Sequence, residues 1–299
     1  MDVGVKAEQL GFDSVWVRDH VFIPPEDKEH GGITEDTFLE PLLTHAALSS
    51  VTEEIDLGTA ILWPCRHPIK LAQNIGTLSY LSDGRVHIGF GPGRHKHEFD
   101  ALDIPYEKRP QLIEENFEVV HRLLTEVDVS HEGELYEFEN VTINPRPTEE
   151  VPLWYGGGSV TSVRRSARIA EGWLPGRLLL EDFKKKMRLL RDEEEKHGSD
   201  ISVGFVPLVS VDETTEAAED RLNFPLLIQD VNKYTNRGYT DKEEIRGYFI
   251  AGTATECAEQ LQGYIDNGMD YVIFDYRHSF DDIGLQMELT ADEIIPLLR

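Results

Sequence analysis

The stretch PIKLAQNIGTLSYLSDGRVHIGFGPG, residues 68–93, decides the fold. Pro68 suits the first turn of a helix, where its missing N–H costs nothing. Ala72, Ile75, Leu78 and, less strictly, Leu81 mark one face of that helix. Asp83-Gly84 turns the chain. Val86, Ile88 and Phe90 then alternate along a strand that ends in Gly91-Pro92-Gly93. A helix that turns directly into a short apolar strand, repeated along a chain, builds a parallel sheet wrapped by helices.

The unit does repeat on both sides. Upstream, residues 2–10 read as a helix closed by Gly11, and Ser14–Val17 as a strand running into Arg18-Asp19-His20. A polar loop extends to about Asp36, followed by a helix over 41–52 and a strand over 55–62. Downstream come a helix over 109–125, a hairpin over 129–144 and a strand at 153–155 that opens into Gly156-Gly157-Gly158-Ser159. Helix 161–171, strand 172–175, helix 181–197 and strand 201–211 follow. Residues 253–267 read as a helix capped by Thr253 or Thr255, 269–276 as the last strand and 290–298 as a closing helix. This predicts one α/β domain over 1–299, a single (β/α)8 TIM-type barrel with insertions at about 128–150 and 214–250. Seven parallel strands are counted, at 14–17, 55–62, 86–90, 152–155, 172–175, 201–211 and 270–275. The chain opens on a helix, so the eighth strand is expected before residue 1.

The charge balance limits the partners. Among 299 residues, 56 acids face 29 bases, a net charge of −27. Nucleic acid and anionic membrane surfaces need clustered basic charge and are not expected to bind. Acids spread over the whole chain predict a halophilic surface, on which salt screens self-repulsion. Cys65 and Cys257 are too few and too distant for a disulfide framework. No signal peptide or membrane-length apolar run is found, so a cytoplasmic enzyme is expected, with a small-molecule substrate and, at most, a second copy of itself as partner.

In barrels of this kind, chemistry sits at the C-terminal ends of the strands. Asp19-His20, Trp63-Pro64, Arg66-His67-Pro68, the segment from Gly91 to Glu98 and the triple glycine all fall there. Gly157-Gly158-Ser159 opens a helix straight after a strand, which makes an anion site of exposed N–H groups. Arg164, Arg165 and Arg168 fall early in that helix, where positive charge opposes the dipole unless an anion is bound. The plainer reading is outward pairing with surface acids such as Glu171. Gly89-Phe90-Gly91-Pro92-Gly93 is no dinucleotide fingerprint, since Arg94 takes the sixth position. Trp63, Trp154 and residues of 223–239 are candidates for the pocket lining. His95-Lys96-His97 is the one pair that suggests metal, and a metal-dependent barrel hydrolase is the alternative of another class.

The run from Ala7 to His20, the segments Leu57–Pro64 and Arg66–Pro68, Leu81–Gly91, Trp154–Ser159 and Glu171–Trp173 together resemble the luciferase-like monooxygenase superfamily. Their spacing is most similar to the branch that uses the deazaflavin coenzyme F420. The likeness is good from residue 3 to about 180 and loose beyond. It implies hydride transfer between F420 and a small organic substrate, with an FMN-dependent monooxygenase as the alternative. It implies a catalytic His20 and a catalytic carboxylate, Glu98, lining the site, with Asp19 either fixing the His20 tautomer or contacting the cofactor. It places Asp19, Ala60 and Ile61 at the cofactor, with a cis bond at Ala60-Ile61, beside Gly157, Gly158, Ser159, Arg164 and Arg165. Relatives begin with a strand ahead of the first helix seen here, which is the strand expected before residue 1.

Overall fold

The computed structural model describes residues 1–22 and 38–298, with the backbone alone at Tyr234. The outer part of the expected polar loop, from residue 23 to 37, lies outside the described residues. The rest alternates as the pattern predicts: α1 (Asp2–Gln9), β1 (Ser14–Val17), α2 (Pro41–Ser49), β2 (Asp56–Leu62), α3 (Pro68–Ser82) and β3 (Val86–Phe90). A short α4 (Lys96–Ala101), the long α5 (Arg109–Thr125) and the hairpin of β4 (Val129–Glu132) and β5 (Glu137–Val141) follow. Then come β6 (Leu153–Gly156), α6 (Val160–Ile169), β7 (Gly172–Leu174), α7 (Leu180–His197), β8 (Ser202–Phe205) and β9 (Leu208–Val211). The last part holds α8 (Thr215–Asp220), α9 (Phe224–Thr235), β10 (Phe249–Gly252), α10 (Ala254–Ile265), β11 (Tyr271–Val272) and α11 (Ile283–Leu289).

Local chemistry sets these boundaries. Pro68 is the first residue of α3, and the helix stops where Asp83 takes a left-handed conformation, φ 57°. Ser159 caps α6 by accepting from the Ser162 N–H at 3.0 Å. Of the two threonines expected to cap α10, Thr253 does so, in a reciprocal box with Glu256.

Seven strands form one parallel sheet in the order β1-β2-β3-β6-β7-β8-β11. They are the seven read from the sequence, except that the strand over 201–211 is bent into β8 and β9. β10 has no counterpart in the sequence reading: it lies in the segment taken as an insertion and pairs in parallel with β9, Phe249 opposite Leu208. Outward-facing apolar side chains of the sheet pack under the helices. Leu57, Ile88, Phe90 and Tyr155 meet Ile75 of α3 and Phe117 of α5 in one cluster. Trp173, Val203 and Phe205 meet Phe183 and Tyr264 in a second.

The sheet curls until its two edges, β1 and β11, meet through side chains. Tyr271 Oη donates to Ser14 Oγ at 2.7 Å, and the Trp16 and Tyr271 rings lie 6.0 Å apart, edge to face. Trp154 completes the packing at 5.9 Å from Trp16 and 5.8 Å from Tyr271, with His87 alongside at 5.9 Å from Trp16. These four rings fill the interior at the level of the strand beginnings. Trp154, a candidate for the pocket lining, is therefore interior packing. The rings need space that neighbouring strands supply as glycine: a Cβ at Gly58 would lie 2.2 Å from the Trp16 ring, and one at Gly172 2.2 Å from the Trp154 ring.

Gly172→Ala is accordingly expected to lower unfolding free energy by about 1–3 kcal/mol, the usual cost of overpacking. Urea denaturation checks this. A change within about 0.5 kcal/mol would show that the Trp154 ring is not fixed against β7.

Candidate functional site

The C-terminal ends of β1, β2 and β3 bring together residues far apart in sequence. Asp19, just past β1, has a side chain only 2% exposed. Arg66, beyond β2, grips it with two bonds, Nη1 to Oδ2 at 2.6 Å and Nη2 to Oδ1 at 2.9 Å. The Trp63 N–H approaches Oδ2 at 3.4 Å, and Nη2 of Arg66 also donates to Glu40 at 2.7 Å. Asp19 therefore does not orient His20. Its carboxylate ties the end of β1 to the end of β2. Between them the Cys65 thiol is pushed up to about 12 by burial and by the negative charge of Asp19, so it stays protonated and unreactive.

His20 is oriented by Glu98 instead. Glu98 sits in the first turn of α4 and is buried. Its Oε1 accepts the Val21 N–H at 2.7 Å, and its Oε2 lies 3.4 Å from His20 Nδ1. Burial alone would raise the Glu98 pKa. The hydrogen bonds from His20 and Val21 outweigh it and hold the group below its ordinary value. An ionised Glu98 accepts from Nδ1–H, which leaves Nε2 of a neutral His20 with its lone pair free. The His95 ring stands edge-on to His20 at 5.2 Å and is kept neutral, at about 4, by burial and the neighbouring Arg94. The rings of His95 and His97 are 5.2 Å apart, but no cluster of three or more metal-ligating side chains forms among the described residues.

The Ala60–Ile61 bond is cis. The register between β2 and β3 shifts at this point, between Thr59 and Leu62. The Ile61 side chain fills the interior above the ring layer. A Cβ at Gly91 would lie 1.9 Å from Ile61 Cδ1, and one at Gly156 2.8 Å from its Cγ2, so glycine at both positions leaves room for the Ile61 side chain as it is placed.

At the end of β6, Gly157 has φ 127° and its carbonyl accepts the Trp173 indole N–H at 2.9 Å. With Ser159 capping Ser162, the N–H groups of the first residues of α6 point out of the helix at the strand ends. The arginines of that helix turn away. Arg165 and Arg168 pair with Glu114 of α5 at 2.7 and 2.9 Å, and Arg164 lies 3.4 Å from Glu193 of α7. Their partners are acids on adjacent helices, not Glu171, whose carboxylate accepts the Leu153 N–H at 2.9 Å. The arginines expected beside this turn are thus already paired with acids of neighbouring helices. The wide groove of about 970 Å³ beside these pairs, lined by Glu114, Glu118, His121, Arg168 and Glu171, lies between helices and away from the strand ends.

Two features are not visible in the sequence. Arg66 reads there only as part of a segment, because nothing local reveals a partner 47 residues away. Arg177, Asp275 and Arg277, after β7 and β11, form a second charged cluster, with Arg177 3.1 Å from Asp275.

The model of the luciferase-like monooxygenase family matches residues 1–271. The chain belongs to that family. It is a flavin- or deazaflavin-type oxidoreductase by that membership, which leaves the barrel-hydrolase alternative without support. Among curated relatives, the F420-dependent glucose-6-phosphate dehydrogenase of Microbacterium testaceum is 27% identical over 100% of this chain and 93% of its own length. That of Nakamurella multipartita is 28% identical over 100% and 91%. These are actinobacterial proteins, and they lend the halophilic reading of the charge no support. Among solved structures, an F420-dependent secondary alcohol dehydrogenase bound to an F420-acetone adduct superposes with a TM-score of 0.84 at 20% identity, over 100% of this chain and 94% of that one. The FMN-bound oxygenating component of 3,6-diketocamphane monooxygenase from Pseudomonas putida superposes at 0.79 and 16%, over 100% and 92%. At such identities the structures establish the shared barrel fold.

The Arg66–Asp19 pair yields a stability test. Arg66→Met leaves a buried, unpaired carboxylate and is expected to cost about 3–5 kcal/mol, whereas the double variant with Asp19→Asn recovers most of that loss. Denaturation of the single and double variants measures the coupling. Additive effects would show that the pair does not tie β1 to β2.

Proposed function

We propose that this chain transfers a hydride between coenzyme F420 and a hydroxyl- or carbonyl-bearing carbon of a small organic substrate. The observation that carries this reading is His20, held through Nδ1 by the ionised Glu98, at the same end of the barrel as the Ile61 bulge. The two curated relatives described above are named F420-dependent glucose-6-phosphate dehydrogenases, and the similar structure an F420-dependent secondary alcohol dehydrogenase. The residues fit a flat ring with a phosphate-bearing tail. Ile61, with glycine at 91 and 156, offers an apolar step on which a ring can lie. Gly157, Gly158 and Ser159 lead into the N–H groups of α6, which suit the phosphate.

When bound, the deazaflavin supplies the carbon that accepts or returns the hydride. The protein's part is to move the proton. As the substrate carbon loses its hydride, the hydroxyl proton passes to His20 Nε2, and the resulting imidazolium is stabilised by Glu98 through Nδ1–H. In the reverse direction Nε2 returns the proton to the carbonyl oxygen. Burial of Asp19 and Glu98 beneath the site keeps this geometry fixed.

His20→Ala should lower turnover by about 100- to 10,000-fold, the range of general acid–base groups, with F420 affinity nearly unchanged. The assay is loss of oxidised F420 absorbance with a panel of simple alcohols and sugar phosphates, beside fluorescence titration of the cofactor. Near-normal turnover in the variant would remove His20 from the chemistry. We also read the acidic surface as built for salt: the thermal midpoint should rise as KCl increases from about 0.1 M to about 1 M, beyond the range where screening is already strong. A flat or falling midpoint would contradict this.

A further inference from the structure

We infer that the substrate of the proposed hydride transfer presents an apolar cyclic body, alicyclic or aromatic, to His20, and not a sugar or other polyhydroxylated skeleton. Five rings form one unbroken band that includes His20. From centroid to centroid, Phe38 lies 5.5 Å from His20, His20 5.2 Å from His95, His95 5.2 Å from His97, and His97 5.3 Å from Phe22. Three stretches of chain supply it: the segment after β1 with His20 and Phe22, the approach to α2 with Phe38, and the start of α4 with His95 and His97. The band reaches the surface. Phe22 is 37% exposed and the His20 side chain 17%, and Val21 and Leu39, next to the band along the chain, are exposed apolar side chains. Apolar side chains gathered around one group able to move a proton have the composition of a small-molecule site.

The polar atoms within this band are largely engaged. The two oxygens of Glu98 are taken by the Val21 N–H and by His20. Arg94 donates through Nε to Nε2 of His95 at 3.1 Å, and a ring nitrogen that accepts a hydrogen bond carries no proton. His95 is therefore neutral, in keeping with burial and the Arg94 charge, which pull it down to about 4. Arg66, Asp19 and Glu40 are bonded to one another.

A sugar brings several hydroxyls, and each one taken from water without a partner is costly. Phe22 and Phe38 offer no partner, and the Glu98 oxygens and His95 Nε2 are already occupied. The reacting hydroxyl alone is served, by His20. The band also lacks a flat platform for the face of a sugar: successive rings are inclined by 71°, 73°, 49° and 55°. A faceted apolar surface suits an apolar ring, whose burial is favourable in proportion to area and needs no matched donors. The assignment to the substrate rests on the proposed function, whereas the apolar character of the band does not. The reaction is the one already proposed: the carbinol hydride goes to oxidised F420 and the hydroxyl proton to His20, which leaves a ketone.

The test has two readouts on the full chain. The first is kcat/KM at saturating F420 for cyclohexanol and 1-phenylethanol against glucose 6-phosphate. The second is calorimetric titration with cyclohexanone and acetophenone, with and without oxidised F420; neither ketone can give up a hydride, so the titration reads binding alone. In the wild type, kcat/KM for one of the two apolar alcohols should exceed that for glucose 6-phosphate at least about tenfold, and the matching ketone should bind. Phe22→Ser and Phe38→Ser should weaken that ketone about tenfold and raise KM for the alcohol by a similar factor. Phe22→Leu and Phe38→Leu, which stay apolar, should retain most of the affinity. The wild-type preference decides the matter even if the serine variants fail to fold. Preference for glucose 6-phosphate overturns the inference and leaves hydride transfer standing. No binding of either ketone, or equal binding by both serine variants, also overturns it. Ketone binding that depends on Phe22 and Phe38, without turnover of any alcohol, would instead overturn the proposed function and leave the apolar site standing.

Discussion

The ring of Trp16 lying on Gly58 is the contact on which the architecture turns. It fills the barrel from β1, meets Trp154 and Tyr271 edge to face, and so joins the two sheet edges that share no backbone bonds among the described residues. Aromatic contacts of this geometry contribute about 0.5–1.5 kcal/mol each beyond burial. The polar residues gather beyond that filled level, at the C-terminal ends of the strands.

Those residues form two halves with different electrostatics. On the β1–β3 side Arg66 meets Asp19 and Glu40, and His20 meets Glu98. Each of these charged groups has a bonded partner on a neighbouring element. On the β7–β11 side two arginines converge on the carboxylate of Asp275.

Much of the fold is legible because its signals are local. Pro68, Asp83-Gly84, Ser159, Thr253 and Gly198 mark helix ends by their own chemistry, and alternation at Val86, Ile88 and Phe90 marks a strand directly. β10 is hidden because its run Phe249-Ile250-Ala251 is uniformly buried, without alternation, inside an irregular segment. The site is legible in part. His20, Glu98 and Gly157–Ser159 stand at strand ends, and position along the chain reveals them. Pairing does not show in sequence: adjacency suggests Asp19 as the partner of His20, yet Arg66 takes the aspartate and Glu98 takes the histidine. Arg164, Arg165 and Arg168 present the same difficulty, since a helix position reveals the dipole but not the acids on α5 and α7 that lie across from it.

Whether this family member is built for a deazaflavin is tested most directly by parallel fluorescence titrations of the purified chain with F420 and with FMN. Both ligands present a flat ring and a phosphate to the same residues. F420 is expected to bind at least about tenfold more tightly, a difference of about 1.4 kcal/mol. Tighter binding of FMN would contradict the deazaflavin assignment and point to an oxygen-using monooxygenase on the same scaffold.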